Sequence, residues 1–344
     1  MLINAYKPET FYITIKINFL IFKMFSKRFI PRTSSNFVRS LSNFIRVVEV
    51  GPRDGLQNEP KLLPTPIKIE LINQLSTTGL KTIEATSFVS PKWIPQMQDN
   101  TAVFQGINKN SEISYPVLVP NLKGLESALT VGVKEIAIFG AASESFSLKN
   151  INCSIDESMR RFKEVIKKAR ESKLKIRGYV SCIAGCPYEG DVSPTSVAKI
   201  SALMLEEGCY EISLGDTIGV GTPKKINSVL KEIKSLSTAG NLQEFAIHCH
   251  DTYGQAIANI YASLEYGIRV FDSSVAGLGG CPYAAGASGN VATEDLLYLL
   301  HNEGFNTGVD LNAVIKIGDW ISNELGRKSQ SKVGIALLAK ERKK

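Results

Sequence analysis

The chain of 344 residues holds only three histidines, and two of them stand one residue apart in "HCHDTYG", residues 248–254. Alternate side chains of a strand share a face. His248 and His250 therefore project together, and Cys249 points to the other side. Two imidazoles a strand step apart can hold one metal ion. The competing reading is a pair of hydrogen-bonded core histidines, which requires partners for both rings. Oxygen ligands would complete a metal site, and Asp54 and Asn290 are in reach if the strand belongs to a closed barrel. Each has a plainer reading: "PRDG" around Asp54 is a turn pattern, and Asn290, taken alone, reads as the cap of the helical pattern that follows it. Two nitrogens and two oxygens suit a six-coordinate Mg²⁺ or Mn²⁺ with positions left for water or substrate. Structural zinc would want a closed tetrahedral shell. Mononuclear Fe(II) oxygenases also use two histidines and one carboxylate, so ligand types alone leave that chemistry open.

A thiol is the second candidate group. "GCPY" occurs at 185–188 and again at 280–283. Only the second copy borders the proposed ion, which favours Cys281 over Cys186 as the reactive cysteine. A nearby cation lowers a thiol's pKa and suits it to proton transfer. Gly277, Gly279, Gly280, Gly286 and Gly289 allow close backbone approach and fit a lid over substrate. A flexible surface loop with an incidental thiol is the alternative. The six cysteines are scattered along the chain, which points to a reduced compartment without structural disulfides.

The elements that must position these groups follow from residue 46 onward. Eight apolar or β-branched runs, at 46–51, 81–88, 113–120, 134–141, 175–182, 210–217, 245–251 and 268–275, alternate with helical patterns. In one of these helices Ile155, Met159, Phe162 and Ile166 recur at helical spacing, behind a Ser154 cap with Glu157 three residues on. Eight such units predict an α/β fold, a (β/α)8 TIM barrel over 46–310, with a helical C-terminal extension over 311–344 packed on it. An open doubly wound sheet is the runner-up, but no GxGxxG follows the first strand. Barrel chemistry gathers at the C-terminal strand ends. Arg53, Asp54, Glu84, Asp216, His248, His250 and Asp251 all fall there.

The formal charge of +7 rests on the first 46 residues. Lys7, Lys16, Lys23, Lys27, Arg28, Arg32, Arg39 and Arg46 face a single acid, Glu9, in that stretch. The remainder is balanced, so nucleic acid is not an expected partner. The Arg-, Ser- and Phe-rich, acid-poor segment 1–45 reads as a disordered mitochondrial import presequence, with Met24 as an alternative start. No apolar run is long enough to span a membrane.

"VEVGPRDGLQNE", "SFVSPKW", "GYVSC", "SLGDTIGVGTP", "HCHDTYGQA" and "GLGGCPYAAGASGN" together resemble the 3-hydroxy-3-methylglutaryl-CoA (HMG-CoA) lyase family, in unbroken order from about residue 46 to 333. The resemblance implies a homodimer of metal-dependent barrels in the mitochondrial matrix, cleaving HMG-CoA to acetyl-CoA and acetoacetate. It places the metal ligands on Asp54, His248, His250 and Asn290, the catalytic cysteine on Cys281 and the essential arginine on Arg53. Gln57, Glu84 and Asp216 match further substrate-side positions, and His248 or Asp54 is implied as the relay for the hydroxyl proton. Some animal members end in Cys-Lys-Leu. This chain ends in "LLAKERKK", which puts peroxisomal targeting and thiol regulation by that cysteine in doubt. Related synthases share the barrel and the HxH site but usually carry further C-terminal domains. A non-catalytic metal- or CoA-binding regulator would have no need of Arg53, Cys281 and the ligand set together.

Overall fold

The computed structural model describes residues 43–236, 241–280 and 289–343. Nine strands make one parallel sheet: β1 (Arg46–Glu49), β2 (Thr82–Ile83), β3 (Thr86–Ser87), β4 (Val117–Leu118), β5 (Glu135–Ala141), β6 (Lys175–Ser181), β7 (Glu211–Asp216), β8 (Phe245–Cys249) and β9 (Val270–Ser273). The order is β2-β1-β9-β8-β7-β6-β5-β4-β3. Its two ends, β2 and β3, are halves of one expected run, 81–88, interrupted at Glu84 and Ala85. Backbone bonds across the interruption close the ring. Glu84 N–H donates to Glu49 O, and Ala85 N–H donates to Pro116 O, both at 2.9 Å. The eight expected runs are thus eight staves of a closed barrel, one of them split where Glu84 meets the rim.

Between the staves lie α1 (Thr65–Leu75), α2 (Asn100–Gly106), α3 (Leu122–Thr130), α4 (Glu144–Ile151), α5 (Ile155–Glu171), α6 (Pro194–Glu207), α7 (Pro223–Leu236) and α8 (Ala256–Glu265). After β9 come α9 (Thr293–Asn302), α10 (Leu311–Leu325) and α11 (Lys332–Glu341). Local sequence explains α5 well. Ser154 accepts the Glu157 N–H at 3.1 Å, and Met159, Phe162, Val165, Ile166 and Ala169 are buried along one stripe. Asp156 and Glu157 in the first turn and Lys168 and Arg170 in the last complement the helix dipole.

Strand parity sorts the core. Val47, Ile247 and Phe271 join the large apolar layer between sheet and helices, while Val48, Val50, Ala246 and Val270 form a small separate cluster. The second set shares its parity with His248 and Asp272, so the barrel's axis carries polar groups above a short apolar plug. Arg46 belongs to this axis as well: it is the first residue of β1, and its guanidinium pairs with Glu211. Upstream of it Ile45 is fully buried and Phe44 pairs with Asn306. In the C-terminal region α10 buries Val314, Ile315, Ile317, Ile321 and Leu325. The connection to α11 is tied to the barrel by Gln330 N–H donating to Ala276 O at 3.0 Å. No helix of the described residues is long and apolar enough to cross a membrane. Cys153, Cys182, Cys186, Cys209 and Cys249 are buried. The expected presequence, residues 1–45, lies outside the described residues up to position 42.

Candidate metal centre and active site

The site starts where β1 ends. The chain enters a π-turn, Gly51–Gly55, "GPRDG", a rare geometry met most often at functional positions. Two glycines let this turn press against its neighbours. A Cβ on Gly51 would fall 2.6 Å from Glu49 Oε1, and one on Gly55 would fall 2.6 Å from Ser274 Oγ. The turn reading of "PRDG" is therefore what the backbone shows, and the turn carries Arg53 and Asp54 over the rim.

His248 sits on β8 and His250 one step past its end, and the rings share a face with centroids 5.3 Å apart. Asp54 Oδ2 lies 3.9 Å from Nε2 of each imidazole. One ligand atom from each of the three residues lies within 4.8 Å of the others. Asn290 reaches the same carboxylate oxygen, donating from Nδ2 at 2.8 Å, and pairs through its backbone with His250. The capping alternative for Asn290 is not what the structure shows: α9 has Ala292 at its N-cap with no side-chain capping bond.

Burial would raise the Asp54 carboxyl, but the Arg53 guanidinium, the two imidazoles and the Asn290 amide outweigh it and hold the group down at about 2. Burial, with His248 as neighbour, pushes His250 down to about 4, so its ring is neutral and has a lone pair to give at neutral pH. Burial opposes charge on His248 as well, but Asp272 and Asp54 outweigh it and raise that ring. Asp272 stands opposite His248 in the β8–β9 register, with Oδ2 3.4 Å from Nδ1, longer than a standard hydrogen bond. The ring's other nitrogen faces Asp54. A carboxylate behind one imidazole nitrogen and an oxygen ligand in front of the other is the arrangement that orients metal-binding histidines. His250 Nδ1 is buried without a hydrogen-bond partner. An anionic oxygen, two imidazoles and an amide converging at one rim fit a hard divalent cation.

Arg53 flanks this cluster. Its Nη1 donates to Asp54 Oδ1 at 2.6 Å, and Nη2 pairs with Glu84 Oε2 at 2.8 Å. Its guanidinium carbon lies 5.4 Å from the centre of the Tyr179 ring, and its Nε is buried without a partner. Burial raises the Glu84 carboxyl, against the opposing pull of Arg53.

Asp216 closes β7, but its oxygens accept the Val220 and Gly221 N–H groups at 3.1 and 2.8 Å. It organises its own loop, and the structure does not bring it into the Asp54 cluster. Burial pushes its carboxyl up to about 6. Gln57 is half-buried just beyond the π-turn. Cys281 lies outside the described residues. Cys186, the other GCPY thiol, is buried; its sulfur accepts from Ser143 Oγ at 2.9 Å and from the Tyr188 N–H at 3.3 Å, a structural setting.

Tyr179, Arg177 and Asp272 stand next to this cluster without any catalytic or metal-ligand motif that marks them in the sequence. Tyr179 Oη donates to Glu84 Oε2 at 3.1 Å and accepts from Arg177 Nη1 at 2.9 Å. Arg177, 1% exposed, also donates to Glu211 and with two nitrogens to Asp272. A charged side chain in mid-strand at the parity of the ligands was the available signal, in "KIRGYVS" and "IRVFDSS" alike.

The HMGL-like family model matches residues 44–321. The chain is 59% identical over 292 residues to "Hydroxymethylglutaryl-CoA lyase, mitochondrial" of Gallus gallus, covering 85% of this chain and 97% of that one. It is 56% identical over 306 residues to "3-hydroxy-3-methylglutaryl-CoA lyase, cytoplasmic" of Rattus norvegicus, covering 89% of this chain and 88% of that one. The crystal structure of hydroxymethylglutaryl-CoA lyase from Pseudomonas aeruginosa superposes with a TM-score of 0.84 at 54% identity, covering 87% of this chain and 98% of the other.

Proposed function

The chain belongs to the HMGL-like family, and from that premise we propose that it is a divalent-metal-dependent lyase cleaving HMG-CoA to acetyl-CoA and acetoacetate. The observation that carries the reading is the convergence of Asp54, His248 and His250 beside a buried arginine.

Breaking the C2–C3 bond of a β-hydroxy thioester sets three demands. The tertiary hydroxyl loses its proton as C3 becomes a ketone. The electron pair of the broken bond passes to the thioester as an enolate. A proton then returns to C2, giving acetyl-CoA. A divalent ion held by Asp54, His248, His250 and Asn290 would polarise and orient the C3 hydroxyl and a carboxylate oxygen.

Arg53 suits the enolate oxygen, because its charge is permanent and its donors are held in a planar fork. Glu84 and the Tyr179 ring fix that fork in place. His248 or Asp54 is assigned the relay of the hydroxyl proton, and Cys281 is assigned to proton transfer on the enolate side. Gln57, Glu84 and Asp216 are assigned to the substrate side, Asp216 by way of the loop it closes.

Mg²⁺ or Mn²⁺ is the proposed ion, and a homodimer the proposed assembly. The mitochondrial matrix is the proposed location, resting on the basic, acid-poor composition of residues 1–45; relatives include both a mitochondrial and a cytoplasmic enzyme. Residues 46–310 are proposed as the catalytic barrel, with 311–344 as its helical extension.

The test is acetoacetate formation from HMG-CoA, before and after divalent ions are stripped. Turnover should vanish on stripping and return with Mg²⁺ or Mn²⁺. Full activity in the stripped protein, or none in the loaded one, would refute the reading. Cys281→Ala should lose orders of magnitude in kcat, with Cys186→Ala near wild type; the reverse would assign the chemistry to the other GCPY segment.

A further inference from the structure

Glu49 ends β1, and it is fully buried. Its hydrogen bonds go elsewhere than to the ligand cluster. Oε1 accepts the Gly51 N–H at 2.8 Å and the Val275 N–H at 2.9 Å, and Oε2 accepts the Thr293 hydroxyl at 2.6 Å. The three donors lie on three segments. Gly51 opens the turn that carries Arg53 and Asp54. Val275 follows β9. Thr293 opens α9, three residues beyond Asn290.

The last two segments are themselves joined. Ser274 N–H donates to Val291 O at 3.0 Å, and Thr293 N–H donates to Ser274 O at 3.1 Å. A second buried carboxylate works one residue along: both oxygens of Glu294 lie 3.0 Å from the Ala276 nitrogen, which holds Ala276 at a left-handed φ of 57°. Asp54 and Asn290 are distant in sequence, yet the segments bearing them end on one side chain. A carboxylate can receive three donors at once because it offers about four lone-pair sites.

We propose that Glu49 is a positioning residue for the reaction: it clasps the Asp54 turn to the segment bearing Asn290, and so sets the ligand spacing on which divalent-ion affinity depends. The inference rests on the divalent-ion reading above. Glutamine should recover much of the function, since its oxygen can take both N–H groups and its amide can donate to the Thr293 hydroxyl. Alanine leaves the Gly51 and Val275 N–H groups without an acceptor, and the Thr293 hydroxyl keeps only Ser273 Oγ, 2.9 Å away.

The experiment uses the metal-stripped full chain. Mn²⁺ titration followed by electron paramagnetic resonance gives affinity, and amide exchange on the metal-free protein gives local order. Glu49→Ala should weaken Mn²⁺ binding at least tenfold and speed exchange in 51–57 and 275–280, with β5 and β6 still protected. Glu49→Gln should recover most of both. Thr293→Val removes one arm only and should give an intermediate loss, which keeps the test open if the alanine variant does not fold. Unchanged affinity and exchange in these variants would overturn the clasp. So would loss of protection spread through β5 and β6, because Glu49 would then serve the whole barrel. If wild-type protein binds no Mn²⁺, the divalent-ion reading falls, and the exchange rates still decide the clasp.

Discussion

Two clusters of buried charge in this barrel, one on the axis and one at the rim, are wired differently. On the axis, Arg177 is matched on every side: Glu211, Asp272 and the Tyr179 hydroxyl take its donors, Ser213 Oγ adds a bond to Asp272 at 2.7 Å, and Arg46 pairs with Glu211. At the rim, pairing is incomplete. Arg53 Nε and His250 Nδ1 are buried without partners, and three potential ligand atoms face one another at distances too long for hydrogen bonds. Buried polar groups are costly unless satisfied. A saturated network therefore reads as scaffold, and an unsaturated one over it reads as a candidate binding site. The two meet at Asp272, which faces Arg177 below and His248 above.

The comparison can be broken at the rim first, where the largest effect is expected. His248→Ala should leave the fold intact but remove measurable Mn²⁺ binding and cut kcat by roughly a thousandfold or more, since a bound metal supplies several kcal/mol of charge stabilisation. Steady-state kinetics with circular dichroism checks this; a folded variant with substantial turnover would count against the site. Arg53→Lys comes next. Loss of one preorganised donor costs on the order of 10²–10³ in kcat, and a point charge does not restore the fork. A variant within a few-fold of wild type would remove Arg53 from the enolate side.

At the junction, Asp272→Asn should weaken Mn²⁺ affinity about 10- to 100-fold, the usual consequence of losing the carboxylate behind a ligating imidazole. It should lower Tm as well, because Arg177 loses one of its two paired anions. A fall in Tm with unchanged Mn²⁺ affinity would confine Asp272 to the scaffold.

The smallest effect concerns stability. Burial pushes Glu294 up to about 8 and Glu49 up to about 7, against an ordinary value of 4.5. The folded state then holds these protons more tightly than the unfolded chain. Their contribution is full below about pH 4.5 and is lost as pH rises through 7 and 8. Tm should fall across that window, and Glu294→Gln should flatten part of the decline. A Tm that rises from pH 5 to 8 would contradict the shifts.

These regions were unequally legible in the sequence. The eight staves were readable because β-branched runs alternate with helical periodicity, and the pairing of His248 with His250 on one face because histidines are scarce and strand parity is strict. The break at Glu84 was not readable, since "KTIEATSF" has no glycine or proline to announce it. Nor was the scaffold network: Arg177 and Asp272 stand on strands far apart in sequence, and only the closed ring shows that they face each other, while Glu49, of opposite parity to Asp272, reaches Gly51, Val275 and Thr293. At Asp216 the sequence showed a carboxylate at a strand end but not its bonds: its oxygens accept the Val220 and Gly221 N–H groups of the loop that follows.

The most direct test of the central claim is anomalous diffraction from crystals soaked in Mn²⁺. A single peak bounded by Asp54 Oδ2 and Nε2 of both His248 and His250 is the predicted result. A peak elsewhere, or none at saturating Mn²⁺, would contradict it.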